Sequence, residues 1–432
     1  MKSFTRKTSS LALAIASISL MHTVTAAESR PALEEITVTA QKREENLSDV
    51  PISVSVVDSA RLQAGNINKI ADIAEFVPNL SMTETGISTQ LYIRGIGSGN
   101  NQAFEQSVGQ FVDGVYYSRQ QLIRAPFMDL DRVEVLRGPQ GTLFGKNSIA
   151  GALNMTTARP GNERELSVNA LYEFESSQQE YTLVASGPLT DTFRARVAYR
   201  GYQEDGYVRN TLKNTDEPQR DEDALRVTFG WDLTPDLTAT LKLEDGSYDT
   251  QGRQIEIVMD MPNRFPAGAT PIAGLTLGQI LPALGQPALD GVLDFNRQAN
   301  ELEFSNSNYD NATLTLEYDM NGYNLTSVTA NVSYDFRERC DCDYTGANIF
   351  FVKVGEDYEQ FSQELRLSSP QDQPLSWLVG GYLQNSEFDS SESFSLPADS
   401  LLRTLALTSP DPRQKALVAL LGTELLRINR QE

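Results

Sequence analysis

The chain of 432 residues sets 58 acidic against 36 basic side chains, for a formal charge of −22. So acidic a balance leaves no clustered Lys and Arg to neutralise phosphates, which excludes nucleic acid as a partner. The single histidine, His22, lies in an N-terminal leader, so the mature chain has no imidazole for a Ser-His-Asp triad, a Cys-His pair or a His-ligated zinc. Past residue 30 no run of about 18 apolar residues occurs, so a membrane would have to be crossed by strands.

The leader itself reads as a secretory signal over residues 1–27: Lys2, Arg6 and Lys7, an apolar run from Leu11 to Met21, then Ala26 and Ala27 as small cleavage residues. Next, Glu35-Ile36-Thr37-Val38-Thr39-Ala40 places a β-prone tetrapeptide between charged flanks. Such a segment is suited to staying loose and then adding as a strand to a partner's sheet edge. By pattern alone an edge strand of the following unit is slightly the better account; its position just after the export signal favours the loose segment.

Ile52 to Val57 predicts a strand, with Asp58 or Ser59 capping a helix whose core face is Ile67, Ile70, Ile73, Ala74 and Val77. Leu91 and Ile93 lead into Arg94-Gly95, and the run Gln110 to Tyr116 carries Asp113-Gly114. From Asp129 to Pro160 the chain reads as strand, glycine-rich reversal, strand. Val133 and Val135 alternate, Gly138, Gly141 and Gly145 punctuate a bend, and Gly151 to Thr157 is extended again. The spacing Gly95, Gly97, Gly99 breaks the dinucleotide fingerprint, and Gly141 to Asn147 has three residues between its glycines where a phosphate loop needs about four. Both nucleotide readings fail, and nothing calls for a cofactor.

Past Pro160 the period becomes two. Leu166, Val168, Ala170 and Tyr172 share a face, as do Phe193, Val197 and Tyr199 against Arg194, Arg196 and Arg200. Leu225, Val227, Phe229 and Trp231 oppose Arg226; Leu241 and Leu243 oppose Lys242 and Glu244; Val328, Ala330, Val332, Tyr334 and Phe336 oppose Thr329, Asn331, Ser333 and Asp335. An apolar face toward lipid and a polar face toward water suit a membrane barrel, though a β-sandwich alternates in the same way. Connection lengths separate the two. Nine strands are expected, near 166–174, 180–186, 192–202, 222–232, 236–248, 309–319, 323–336, 358–368 and 375–388. Short turns join one set of ends, and long links over 203–221, 249–308, 337–357 and 389 onward join the other. That segregation describes an outer-membrane barrel with long external loops.

Within the links, Cys340 and Cys342 lie too close in sequence to bridge without strain, so pairing elsewhere or a reduced state is expected. Asp341, Asp343, Thr345 and Gly346 echo half of a calcium loop, but Val352 stands where its glutamate belongs. Glu44-Glu45 and Asp221-Glu222 read as solvated charges. The apolar insert around Leu275 to Leu284 is either a lid or a packed loop, and Lys415 to Ile428 has helical spacing suited to a loop helix.

Four ordered segments resemble the TonB-dependent outer-membrane receptors. EEITVTA (Glu34 to Ala40) resembles a TonB box, QLYIRGIGS (Gln90 to Ser98) the first plug arginine-glycine motif, FVDGVYYSR (Phe111 to Arg119) the strand that follows, and DRVEVLRGPQGTLFGKNSIAGALNMTT the end of the plug. The resemblance implies residues 28–43 as a periplasmic segment, a small α/β plug domain over 44–160, and an antiparallel transmembrane β-barrel over 161–432. That barrel is incomplete beside the family's strand count of about 22, so the chain is expected to be the front of a longer receptor. The resemblance also implies Glu35 to Ala40 as the TonB contact, outer-membrane lipid around the barrel, and a ferric chelate as cargo, with cobalamin or oligosaccharide behind it. Arg94 and Arg137 would pair with carboxylates on the barrel wall.

Overall fold

A computed structural model describes residues 37–39, 41–43, 45–67, 69–84, 89–99, 105–124, 128–262, 264, 274–289, 291–408, 411–413, 415 and 424–431. The first unit runs β1 (Thr37–Val38), β2 (Glu45–Asn46), β3 (Ser53–Asp58), α1 (Ser59–Ala64), α2 (Ile70–Phe76), β4 (Leu80–Glu84), β5 (Thr89–Ile93), β6 (Ile96–Gly97), β7 (Val108–Val112), β8 (Val115–Tyr117), β9 (Leu130–Arg137), α3 (Gly141–Phe144) and β10 (Gly151–Thr157). Its main sheet has the order β3-β9-β10-β7-β8. The expected cap is Asp58, whose carboxylate accepts from the Arg61 amide at the start of α1. Ile67, Ile70, Ile73 and Val77 are buried as the spacing predicts, although the helix begins only at Ile70.

Between β9 and β10 the expected bend contains the one-turn helix α3, with Gly145 beyond it at φ 75°. Glycine is required at Gly151, where a Cβ would lie 2.2 Å from the Leu136 carbonyl oxygen.

The second unit is a single antiparallel sheet of ten strands. In chain order come β11 (Glu165–Tyr172), β12 (Gln179–Pro188), β13 (Phe193–Glu204), the short loop strands β14 (Val208–Asn210) and β15 (Thr215–Glu217), β16 (Gln219–Thr234) and β17 (Leu237–Gln251). Then follow α4 (Leu277–Ala283), loop strand β18 (Asn296–Arg297), β19 (Phe304–Met320), β20 (Tyr323–Cys340), β21 (Phe351–Ser368), β22 (Leu378–Ser395), α5 (Leu401–Thr408) and β23 (Glu424–Gln431). The wall order is β11-β12-β13-β16-β17-β19-β20-β21-β22-β23, each strand beside its sequence neighbour in the wall. Beneath them the short turns sit on one rim, as expected, and the loop strands form their own sheet, β15-β14-β18, at the other.

Two expectations about this wall need correction. The tenth strand, β23, occupies residues assigned to a loop helix; it pairs with β22 from Asp389↔Gln431. Apolar residues interrupted by charges satisfy a strand's period as well as a helix's over so short a run, and an available sheet edge decides. The strands are also longer than the alternation suggested. β20, β21 and β22 have 18 residues each, against the roughly 9–11 that a tilted strand needs to cross a bilayer. Their ends therefore stand clear of the hydrocarbon.

The faces follow the expected sense over half of the wall. Leu166, Val168, Tyr181, Leu183, Val197, Leu225, Trp231, Leu241 and Leu243 are exposed, while Arg196, Arg200, Arg226 and Lys242 are buried. On β20 the sense is reversed. Val328, Ala330, Val332, Tyr334 and Phe336 are buried in the core shared with the first unit, and Thr329, Asn331, Ser333 and Asp335 point outward. The alternation was legible; its direction was not, because this strand's apolar face meets the first unit rather than lipid.

Candidate functional site: the segment around Thr39 and the interface between the two units

Of Glu35 to Ala40, residues Thr37, Val38 and Thr39 are described, and Glu35, Ile36 and Ala40 lie outside the described residues, as does the leader. The expectation of a loose segment is not met at Val38 and Thr39. β1 pairs with β2, and Val38 is fully buried in a cluster with Val50, Phe111, Tyr116, Leu136, Phe144 and Ala152. The amide and hydroxyl of Thr39 donate to Glu134 Oε1 at 2.8 and 3.1 Å, and Asn154 donates to the Thr39 hydroxyl at 3.0 Å. Glu134, on the central strand β9, is itself buried and accepts from Arg132 Nε at 2.9 Å. Asn154 also donates to Glu134 Oε2 at 3.2 Å, and a buried carboxylate with four donors is fully solvated by protein, so it binds the segment firmly. Apolar β-formers between charges bury themselves wherever an adjacent groove exists, a fact that no local pattern carries.

Just after this point the Lys42 amide closes a turn onto the Thr39 carbonyl, and the Lys42 ammonium reaches Glu364 on β21 at 3.3 Å. It also lies 5.3 and 5.2 Å from the ring centres of Phe111 and Phe144. Burial pulls its pKa below the usual lysine range, partly offset by the carboxylate. Arg43 donates to Ser376 Oγ and the Trp377 carbonyl in the turn between β21 and β22.

The motif arginines stand elsewhere than expected. Arg94 and Gly95 form the tight β5–β6 turn at φ 53° and 78°. Arg137, followed by Gly138 at φ 96°, donates to Ser53 Oγ at 3.0 Å and the Pro78 carbonyl at 3.2 Å, both within its own unit. Among the described residues neither arginine pairs with a wall carboxylate. Gly141 opens α3 and Gly145 is its C-cap.

Charge does join the two units, with the polarity exchanged. Asp113, in the β7–β8 turn with Gly114 at φ 82°, accepts from Lys242 Nζ at 2.6 Å and from the Thr157 amide and hydroxyl, each at 2.9 Å. Burial pushes its pKa up, but Lys242 and these hydrogen bonds overcome that and hold it at about 2. Asp129 takes Arg196 in a bidentate clasp at 2.5 and 2.7 Å, and Arg226 donates to the Met128 carbonyl at 2.5 Å. The sequence had already put Arg196, Arg226 and Lys242 on the polar face. Inward cations on neighbouring strands were the available signal; which body they would meet was not.

Farther along the wall, the Lys42–Glu364 pair apart, hydroxyl, amide and aromatic contacts take over. Asn311 donates to the Tyr117 hydroxyl at 2.8 Å, Gln360 to the Tyr116 carbonyl at 2.9 Å, and the Ser118 and Tyr358 hydroxyls meet at 2.7 Å. Tyr358 stacks on Tyr334, and the Arg119 guanidinium lies 3.8 Å from the Phe388 ring centre.

A polar cavity and a buried charge cluster lie at opposite ends of the wall. At the short-turn rim a cavity of about 1000 Å³ runs between the units, lined by Thr39, Lys42, Arg132, Asn154, Glu317 and Arg366 among others. At the loop end Arg297 bridges Glu217 and Glu303 at 2.8 and 2.7 Å, and Arg253 donates to Glu338. Here Cys340 and Cys342 are bridged to each other, contrary to the expectation, because the chain between them folds their Cα atoms to 5.1 Å. Asp341 accepts from the Asn300 and Glu301 amides, and Asp343 from Thr345 and Phe350. Val352 is buried on β21, and no cluster of three acidic, Cys or His side chains fit for a metal occurs among the described residues.

Comparison with known proteins agrees with this architecture. Residues 46–152 match the TonB-dependent Receptor Plug Domain. The chain is 27% identical over 224 residues to the iron-regulated outer membrane virulence protein of Vibrio cholerae, covering 49% of this chain and 31% of that protein. It is 24% identical over 205 residues to the vitamin B12 transporter BtuB of Vibrio vulnificus, covering 47% and 33%. The fold is shared with the ferric yersiniabactin uptake receptor FyuA of Yersinia pestis, at a TM-score of 0.64 and 18% identity over 80% of this chain and 50% of that one. The chain thus spans about a third of the curated relatives' length and half of the solved receptor's. Residues 46–152 are thus a TonB-dependent receptor plug domain, seated against an antiparallel wall whose fold is shared with a solved outer-membrane uptake receptor.

Proposed function

We propose that the protein serves energy-coupled uptake of a large nutrient across the outer membrane, with a ferric siderophore as first candidate. Residues 1–27 are the export signal in this reading, 28–43 the periplasmic segment, 44–160 the plug and 161–432 barrel wall. TonB takes hold of Ile36 to Thr39 by strand addition, and the pull shifts the plug within the wall. The protein breaks no bonds; ligand capture falls to the outer loops and the plug. The observation that carries the reading is the plug-like unit joined to the wall by the ion pairs Asp113–Lys242 and Asp129–Arg196. The names of the V. cholerae and Y. pestis relatives favour iron. A cobalamin receptor is the second reading, favoured by the likeness to the vitamin B12 transporter.

The test is radiolabelled ferric-chelate uptake in cells lacking other receptors, with and without a protonophore. Val38→Pro should abolish the protonophore-sensitive part, because proline removes the amide that a paired strand needs. Undiminished uptake in that variant excludes coupling through this segment, and uptake of cyanocobalamin alone moves the assignment to the second reading.

A further inference from the structure

The coupling segment is held at two places of different kind. Thr39 is bonded to the plug through Glu134, whereas Lys42 and Arg43, three and four residues later, are bonded to the wall. The Lys42 ammonium has a side-chain exposure of 10% and reaches the Glu364 carboxylate, itself 17% exposed and shared with Arg366 at 3.1 Å, with two aromatic rings beside it. Both Thr39 and Lys42 also line the 1000 Å³ cavity at the short-turn rim, as do Arg43, Arg366 and residues 368–371 of the turn they grip. A displacement that draws Thr39 out of the plug by more than the roughly 10 Å that three extended residues can span also strips Lys42 and Arg43 from β21 and the turn after it, removing one side of that cavity.

We infer that Glu364 and the 369–377 turn form a wall cradle for Lys42 and Arg43, with Glu364 as its positioning residue, so that full release of the coupling segment and widening of the periplasmic-side cavity are one event. This rests on the functional reading above only in naming TonB as the agent of release. Breaking one partner of a mostly buried pair leaves the other charge uncompensated, which is why the cradle has a sharp mutational signature.

Hydrogen exchange on the full chain in detergent tests it, together with maleimide labelling of Thr326→Cys, a cavity-lining position. In Glu364→Gln, exchange over 39–46 should rise about tenfold or more and labelling at 326 should accelerate, while β16 and β17 keep their protection. Lys42→Met, which removes the cation instead of the carboxylate, should raise both likewise. Unchanged exchange in Glu364→Gln overturns the cradle, and so does a rise in that variant that Lys42→Met does not share. A purified TonB periplasmic domain added to the wild type should reproduce the Glu364→Gln pattern. If it does not while the variants behave as stated, the cradle stands and the coupling partner is wrong.

Discussion

The wall has two halves that hold the plug by different physics. From β13 to β17 buried cations reach inward to plug carboxylates, and the outward face is apolar. From β20 to β22 the inward face is aromatic and aliphatic, and β20 turns Thr329, Asn331, Ser333 and Asp335 outward. The difference teaches that a period of two fixes which side chains share a face and leaves open which face is outside. A strand seated on a hydrophobic globule can invert the usual arrangement without changing its pattern.

The sharpest way to break the comparison is Phe336→Ala. Phe336 is fully buried against the plug, so its loss should cost about 3–5 kcal/mol, read as a lowered denaturation midpoint for the plug. A residue facing lipid would show no such effect. Next, Lys242→Ala leaves Asp113, still 19% exposed at its side chain, without its cation. That should weaken plug seating by about 2–4 kcal/mol after allowance for partial solvation. Lys242→Ala combined with Asp113→Asn should recover part of the loss in the same denaturation assay.

The two halves should also answer pH in opposite directions. Asp113 has a depressed pKa, so its contribution is present above the ordinary aspartate value and is lost as pH falls toward about 2. Protease resistance of the β7–β8 turn should stay constant from about pH 8 down to about pH 4. Asp341, at the top of β20, is raised instead, by burial first and by the neighbouring Asp343 second. A raised carboxyl contributes fully below its unfolded value and loses that contribution as pH rises through the folded one. Proteolysis of the 341–350 link should therefore increase from mildly acidic to alkaline pH; Asp341→Asn should remove the dependence and Asp343→Asn should reduce it. The smallest effect is expected at Asn331→Leu, on the outward face, which should change stability by about 1 kcal/mol or less; a large loss there would place that face inward.

Much of this was legible in one dimension. Asp58 as a cap, the Ile70–Ile73–Val77 stripe, Gly151 to Thr157 as a strand and the short turns all rest on interactions within a few residues, where propensity and sterics decide. The inward cations Arg196, Arg226 and Lys242 were equally visible as members of a polar face.

What the tertiary structure alone decided is partnership. Val38 and Thr39 look free in the sequence, yet a groove and a buried Glu134 nearly a hundred residues away bind them. Arg94 and Arg137 look like wall-seeking charges, yet Asp113 and Asp129 make the contacts. Burial, ion pairing and the outward sense of β20 depend on which surfaces meet across long sequence separations, and local pattern holds no record of those meetings.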